Sequence, residues 1–345
     1  MELTALKPLY TEGDHFATLY LEGRSPAEDA DDQVRLRWNT LREQLASEGA
    51  PQTTLDAVDQ ALTDHRPGEK QTLGRVLVVS DQGQPLLDEL WDAALGSGDS
   101  AHWKPLPQLG AYVREAAQTE RVLLIVAGQQ ETQLSELLVS PAQAPREEAR
   151  EELRGSAVEG PHHPREGALA HRRIQRRADE AVRQNAKDFA SAVVDTLRDF
   201  PPDLVILAGE VQGRTALLDQ LPSHLREQVV ETARGGATDQ GAREALEEEV
   251  LRLVAEASER RLEENLSRLR QAVEHGDGVQ GDDKVLQAAE TGALDTLLLE
   301  EGASARREAQ LLKEAARTGA SLALVPEATG LPQGSAGLLR FSPTG

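Results

Sequence analysis

Apolar residues along this 345-residue chain come in two rhythms. Short continuous runs read as buried strands, and longer stretches with apolar residues three and four apart read as helices. The first strand is Phe16–Leu21, which alternates in the β manner. Two helical patterns follow, at 28–48 and 52–64, divided by Gly49-Ala50-Pro51. Arg75–Ser80 reads as a buried strand, 81–84 as a turn and 85–91 as a returning strand. Small residues at 96–100, then Pro105 and Pro107, mark a domain boundary.

A second segment begins near 106. It predicts a helix over 108–118, a strongly apolar strand over 121–128 and a partner strand over 131–139. Residues 141–167 hold Pro141, Pro145, Pro161 and Pro164 among charges and small residues. They read as a long loop with a short helix at 146–154, and a loop of that length in a compact domain is usually functional or disordered. A long helix over 168–199, a buried strand over 203–209, a short helix over 213–220 and an edge strand over 228–232 complete the segment.

Gly235-Gly236 marks the second boundary. Beyond it Leu246, Val250, Leu253 and Ala257, then Leu262, Leu266, Leu269 and Val273, carry one apolar stripe along a helix over 242–273. Helices at 283–290 and 304–318 alternate with strands at 296–299, 321–325 and 337–341, which predicts a small α/β sandwich. The expectation is therefore an α/β protein of three domains: 1–105, 106–235 and 236–345.

Composition narrows the function. Aromatic residues are only 3% of the chain, which disfavours stacking platforms for nucleic-acid bases. There is no cysteine, so disulfides, thiolate metal sites and cysteine nucleophiles are excluded. No apolar run approaches the roughly 18 residues of a membrane span. The start of the chain lacks the basic and apolar regions of a signal peptide, so a cytoplasmic protein is expected, with no membrane partner. Arginine far outnumbers lysine, as a GC-rich genome produces, and high-salt adaptation would equally account for a net charge of −22.

Against that charge, one stretch stands out. Between 165 and 187 lie Arg165, Arg172, Arg173, Arg176, Arg177, Arg183 and Lys187, with only Glu166, Asp179 and Glu180 opposing them, a net of +4. A cationic run inside an anionic molecule points to one surface for a polyanion. At 3.6 residues per turn Arg172, Arg176, Arg183 and Lys187 share overlapping faces, and Arg173 and Arg177 form an adjacent stripe. Arginine suits bidentate phosphate contacts, which position a protein on nucleic acid without reading sequence. The competing reading is a solvated face whose arginines pair with nearby carboxylates.

His162, His163 and His171 flank this run, but no cysteine or carboxylate cluster completes a metal site, so they read as polar loop residues or RNA contacts. Neither a metal nor a cofactor is expected, and no catalytic residue is assigned. The stretch 209–214, Gly-Glu-Val-Gln-Gly-Arg, lacks the Gly-Lys-Ser/Thr ending of a phosphate loop and reads as a strand-to-helix turn. Gly128-Gln129-Gln130 reads as a hairpin turn.

Four stretches carry a resemblance as well as a pattern. The long loop leads into Ala168-Leu169-Ala170-His171-Arg172-Arg173-Ile174-Gln175-Arg176-Arg177. Further on comes Leu204-Val205-Ile206-Leu207-Ala208-Gly209-Glu210. Residues 283–299 run from Asp283-Lys284-Val285-Leu286 through the Gly292-Ala293 turn to Asp295-Thr296-Leu297-Leu298-Leu299, the most specific of the four, and Gly337-Leu338-Leu339-Arg340-Phe341 closes the chain's last strand. From about 121 onward the chain resembles the archaeal-eukaryotic peptide release factor and Pelota family. More narrowly, it resembles the bacterial branch that includes the ribosome hibernation factor Balon.

The resemblance implies an RNase H-like central domain and a C-terminal α/β/α sandwich of the kink-turn-binding ribosomal-protein type. It implies binding in the ribosomal A site, against ribosomal RNA and tRNA, beside a translation GTPase such as elongation factor Tu. Release factors of the family carry Gly-Gly-Gln at the loop tip, where it helps water attack the peptidyl ester. Here 155–163 reads Gly-Ser-Ala-Val-Glu-Gly-Pro-His-His, without that motif and without glutamine. The expectation is thus a ribosome-binding hibernation or stress factor that is not an enzyme. The rival is a peptidyl-tRNA hydrolase in ribosome rescue, with His162 or His163 as general base, and a third reading is an acidic interaction protein that never meets RNA.

Overall fold

Each of the three segments builds one β-sheet. The computed structural model describes the whole chain except residues 12, 22–29, 64–73, 91–97, 141–144, 157–167, 236–239 and 342–345; for 30–34, 63, 90 and 168–179 it describes the backbone alone.

The first sheet joins β1 (Phe16–Leu21), β2 (Arg75–Ser80), β3 (Pro85–Leu90) and β4 (Ser100–Lys104) in the order β3-β2-β1-β4, every neighbour antiparallel. On one face Leu19, Leu77 and Val79 pack against Trp38, Leu41 and Leu45 of α1 (Ala30–Ser47) and Leu55 and Val58 of α2 (Gln52–Thr63). The region read as a boundary thus contains β4. It is short and buries only Ala101, so it offers no alternation to read. Its outward backbone groups are satisfied from the end of α1: Trp103 N–H donates to Glu48 Oε2 at 2.9 Å, and Gln44 Nε2 donates to Ala101 O at 2.8 Å. The Trp103 N–H holds the Glu48 carboxyl below its ordinary range. An edge closed this way offers no template to another strand.

Next come α3 (Gly110–Gln118), β5 (Glu120–Ala127), β6 (Glu131–Val139), β7 (Arg146–Arg154), α4 (Ala168–Asp199), β8 (Leu204–Gly209), α5 (Val211–Gln220), α6 (Ser223–Arg226), β9 (Val229–Glu231) and α7 (Gln240–His275). The central sheet runs β7-β6-β5-β8-β9, with β5, β6 and β7 antiparallel and β8 and β9 parallel to β5. That is the strand order expected of an RNase H-like domain. One face packs on α4 and α5 through Leu123, Ile125, Phe189, Val193 and Leu207. The other packs on Leu246, Val250 and Val254 of α7 through Val122, Leu124 and Ile206.

The expected helix at 146–154 is a strand. Its sequence, Arg-Glu-Glu-Ala-Arg-Glu-Glu-Leu-Arg, has the charge spacing of helical ion pairs, yet β6 presents a free edge that takes up its backbone groups instead. Charges are tolerated there because β7 is exposed almost throughout, with Arg150 Nη2 donating to Gln133 Oε1 at 2.5 Å.

The third sheet orders β10 (Gly278–Gln280), β11 (Leu294–Glu300), β12 (Ser321–Val325) and β13 (Ser335–Leu339) as β10-β13-β11-β12. Leu297 and Leu299 of β11 face α8 (Asp282–Glu290) and α9 (Glu308–Thr318), while Leu298 faces Leu266 and Leu269 of α7. Helices on both faces make the expected α/β/α sandwich. A 3-10 helix over Leu3–Tyr10 buries Leu3, Leu6 and Leu9 in the same core as α9. Just before it, Leu322 N–H donates to Met1 O and Leu3 N–H to Ala320 O, which covers the edge of β12.

Met1–Gln118 together with Arg260–Gly345 form one compact unit, and Thr119–Glu259 form a second. The units do not follow the three segments one to one. Helix α3 packs with the first unit, and residues 240–259 of α7 pack with the second. Inside the first unit Arg114 of α3 is almost enclosed. Its guanidinium meets Glu308 Oε2 at 2.5 Å and Oε1 at 2.9 Å, and donates to the carbonyls of Glu300, Ala303 and Gly110. Replacing Arg114 by Ala strands the Glu308 carboxylate in a site where its side chain is 12% exposed. We expect a loss of about 3 kcal/mol in urea unfolding of the first unit, and a smaller loss for Arg114→Met with Glu308→Leu, which removes both charges.

Candidate nucleic-acid interface

From Arg172 to Lys187 the cationic run lies on α4, a 32-residue helix about 48 Å long at 1.5 Å per residue. Its C-terminal half is the anchor: Phe189, Ala190 and Val193 are buried against β5 and β8, and the two larger side chains, Phe189 and Val193, contribute about 1.5–3 kcal/mol each. The anchor begins at Asn185, which is 2% exposed and donates from Nδ2 to Gln129 O at 3.2 Å, in the turn after β5. Gly155, just past β7, donates its N–H to Gln130 O at 2.8 Å. Its neighbour Ser156 donates from Oγ to Asp188 Oδ2 at 3.0 Å, while Gln184 Nε2 donates to Asp188 Oδ1 at 3.0 Å. The turn after β5, the end of β7 and the middle of α4 thus meet at one end of the sheet.

Arg183 and Lys187 stand beside this junction, both exposed, and among the described residues neither has a hydrogen-bond or ion-pair partner. Asp188, next to Lys187, is occupied by Ser156 and Gln184. His171, Arg172, Arg173, Arg176 and Arg177 fall on the first turns of α4, with their side chains outside what is described. By backbone position Arg172, Arg176, Arg183 and Lys187 share a sector of about 60°, with Arg173 and Arg177 next to it. His162, His163 and Arg165 lie outside the described residues.

The stretch 209–214 is a structural turn. Gly209 sits at φ +106°, and a Cβ there would come within 2.3 Å of Ala127 O; at Gly213 one would come within 2.8 Å of Ala127 O and of Gly128 C. The two glycines let α5 start directly against the end of β5, where Glu210 N–H donates to Ala127 O at 2.9 Å. Among the described residues no group of three or more His, Asp or Glu is arranged to hold a metal ion, and no helix is long and apolar enough to cross a membrane. Asn185, Gly155 and Asp188 hold the geometry of the site but carry no signal in the sequence, being single polar or small residues without a motif.

The profile of the Bacterial archaeo-eukaryotic release factor family 2 matches residues 121–275, a span that contains α4 whole. Two uncharacterised proteins of Mycobacterium tuberculosis, from strains CDC 1551 / Oshkosh and ATCC 25618 / H37Rv, are each 24% identical over 304 residues, covering 83% of this chain and 75% of theirs. Among solved structures, Saccharomyces cerevisiae Dom34, described as a translation termination-like factor interacting with Hbs1, aligns with 14% identity over 78% of this chain and 80% of its own, at a TM-score of 0.45. Archaeoglobus fulgidus Pelota aligns with 17% identity over 99% and 92%, at 0.33. An archaeal Pelota from a ribosome-bound assembly with ABCE1 aligns with 14% identity over 99% and 95%, at 0.44. The chain is thus similar to the bacterial branch of the archaeal-eukaryotic release factors, and the match covers nearly all of the unit that carries the basic helix and the rest of α7.

Gly209→Ala combines a left-handed backbone with a collision against β5. We expect it to destabilise the central unit by about 3 kcal/mol, read as a lowered urea midpoint, with Gly276→Ala, where a Cβ would meet nothing within 4 Å, as the milder positive-φ control.

Proposed function

We propose that this protein is a cytoplasmic ribosome-binding factor of the hibernation or stress type, close in role to Balon, that occupies the A site without releasing peptide. The observation that carries this reading is the exposure of Arg183 and Lys187 on α4, with no partner among the described residues, in a chain of net charge −22 and inside the span that matches the release-factor family. In such a molecule a free cationic face attracts phosphate while the remaining surface is repelled by it, so binding is confined to one orientation. Ribosomal RNA and tRNA phosphates would meet α4 and the His162–His163 stretch that precedes it in sequence. The partner GTPase of this reading is an elongation-factor-Tu-like protein; Hbs1 is named as the partner of Dom34.

The absence of Gly-Gly-Gln from the chain supports binding without chemistry. The rival, a rescue hydrolase, would need His162 or His163 to activate water in its place. Ribosomes carrying peptidyl-tRNA should release no peptide above background when the protein is added. Release that disappears in His162→Ala or His163→Ala would overturn the non-enzymatic reading in favour of the hydrolase.

Charge reversal tests the interface itself. Arg172→Glu with Arg176→Glu should abolish co-sedimentation with ribosomes at moderate salt while leaving thermal unfolding unchanged, since exposed substitutions shift stability by about 0.5 kcal/mol or less. For any residual binding, the slope of log affinity against log salt should flatten by about 1 for each phosphate that is no longer bound. Unchanged sedimentation would return these arginines to partners on the protein's own surface.

A further inference from the structure

We infer that Asn185 is a positioning residue that sets the rotation of α4 about its axis, so that Arg183 and Lys187 face the polyanion; the inference rests on the ribosome-binding reading. Residues two apart on an α-helix point about 200° away from each other. Asn185 lies midway between the two cations in sequence, so a side chain driven inward at 185 drives both of them outward. Asn185 is driven inward by two separate features. Its amide donates to Gln129 O at 3.2 Å, and it fills the space that Gly155 leaves open. A Cβ added at Gly155 would lie 2.2–2.3 Å from Asn185 Cγ, Nδ2 and Oδ1, so the glycine and the asparagine fit only as a pair.

Between Glu180 and Gln184 no described side chain is buried against the sheet. Among the described residues of α4 the buried positions start at Asn185, and Glu180 to Gln184 are exposed or half-buried. One turn further on, Asp188 is tied to Ser156, the neighbour of Gly155, so the same chain end grips the helix twice. Both grips are polar and sit on the sequence's least conspicuous residues. A helix rotated by one residue, about 100°, would turn one cation toward the sheet and present an acidic or neutral neighbour instead.

The test compares wild type, Asn185→Ala, Gly155→Ala and the double variant by co-sedimentation with bacterial ribosomes across a salt series. Asn185→Ala should bind about tenfold more weakly and with a salt slope shallower by about 1, because one cation no longer reaches its phosphate. A variant that is merely less folded would lower the competent fraction equally at every salt, so an unchanged slope overturns the inference. Gly155→Ala should match that loss. The double variant should resemble Asn185→Ala alone, since the smaller side chain makes room for the added methyl; fully additive losses would overturn the pairing. If wild type itself fails to sediment with ribosomes, the ribosome reading falls, and elution from heparin decides the positioning role. Earlier elution of Asn185→Ala than wild type would sustain it, and co-elution would overturn it.

Discussion

Burial of Phe189, Ala190 and Val193 between α4 and the β5–β8 pair is the interaction on which the candidate interface depends. It holds α4 at its C-terminal half. Six cations, Arg172 to Lys187, could not be placed along a helix buried on all sides, because an unpaired charge in the core costs several kcal/mol. The rest of the described site is built around that anchorage. The turn after β5 and the end of β7 come to the helix at Asn185 and Asp188, where the grips are polar.

The contrast in charge works at a longer range. Screening at physiological ionic strength confines fields to about 8 Å, so the many carboxylates elsewhere do not cancel the α4 cations locally. They act instead on encounters, disfavouring every approach to a polyanion but one. The two compact units differ in how they treat charge. Arg114 and Glu308 enclose theirs in a network of carbonyl acceptors, whereas Arg183 and Lys187 are left in solvent. The first arrangement stabilises a fold, and the second keeps binding capacity available.

Burial writes itself into residue type unevenly, and that decides which elements are legible in the sequence. The β5 and β8 strands are buried on both faces and read as apolar runs, and α4 and α7 carry long stripes, so all four are visible. The 3-10 helix Leu3–Tyr10, β4 and β10 are not, because three to eight residues with a few buried side chains leave no period to detect. For β7 the local spacing argues for helix and the neighbouring edge decides otherwise. The cations of the site are visible as a charge anomaly. Asn185 and Gly155 are invisible, since their roles arise from meeting each other across 30 positions of chain.

The sequence of β7 has a further consequence. Arg146-Glu147-Glu148-Ala149 is followed by Arg150-Glu151-Glu152-Leu153, a four-residue near-repeat, on a strand exposed on both faces. Strands whose two faces are equally polar are weakly specified in register, and a slip of four would lay one repeat where the other had been. Leu153, packed against the core under α4, and Gly155, lodged against Asn185, are the two residues that make the copies inequivalent. The glycine therefore also counts for the strand: it tells a repetitive edge where to stop.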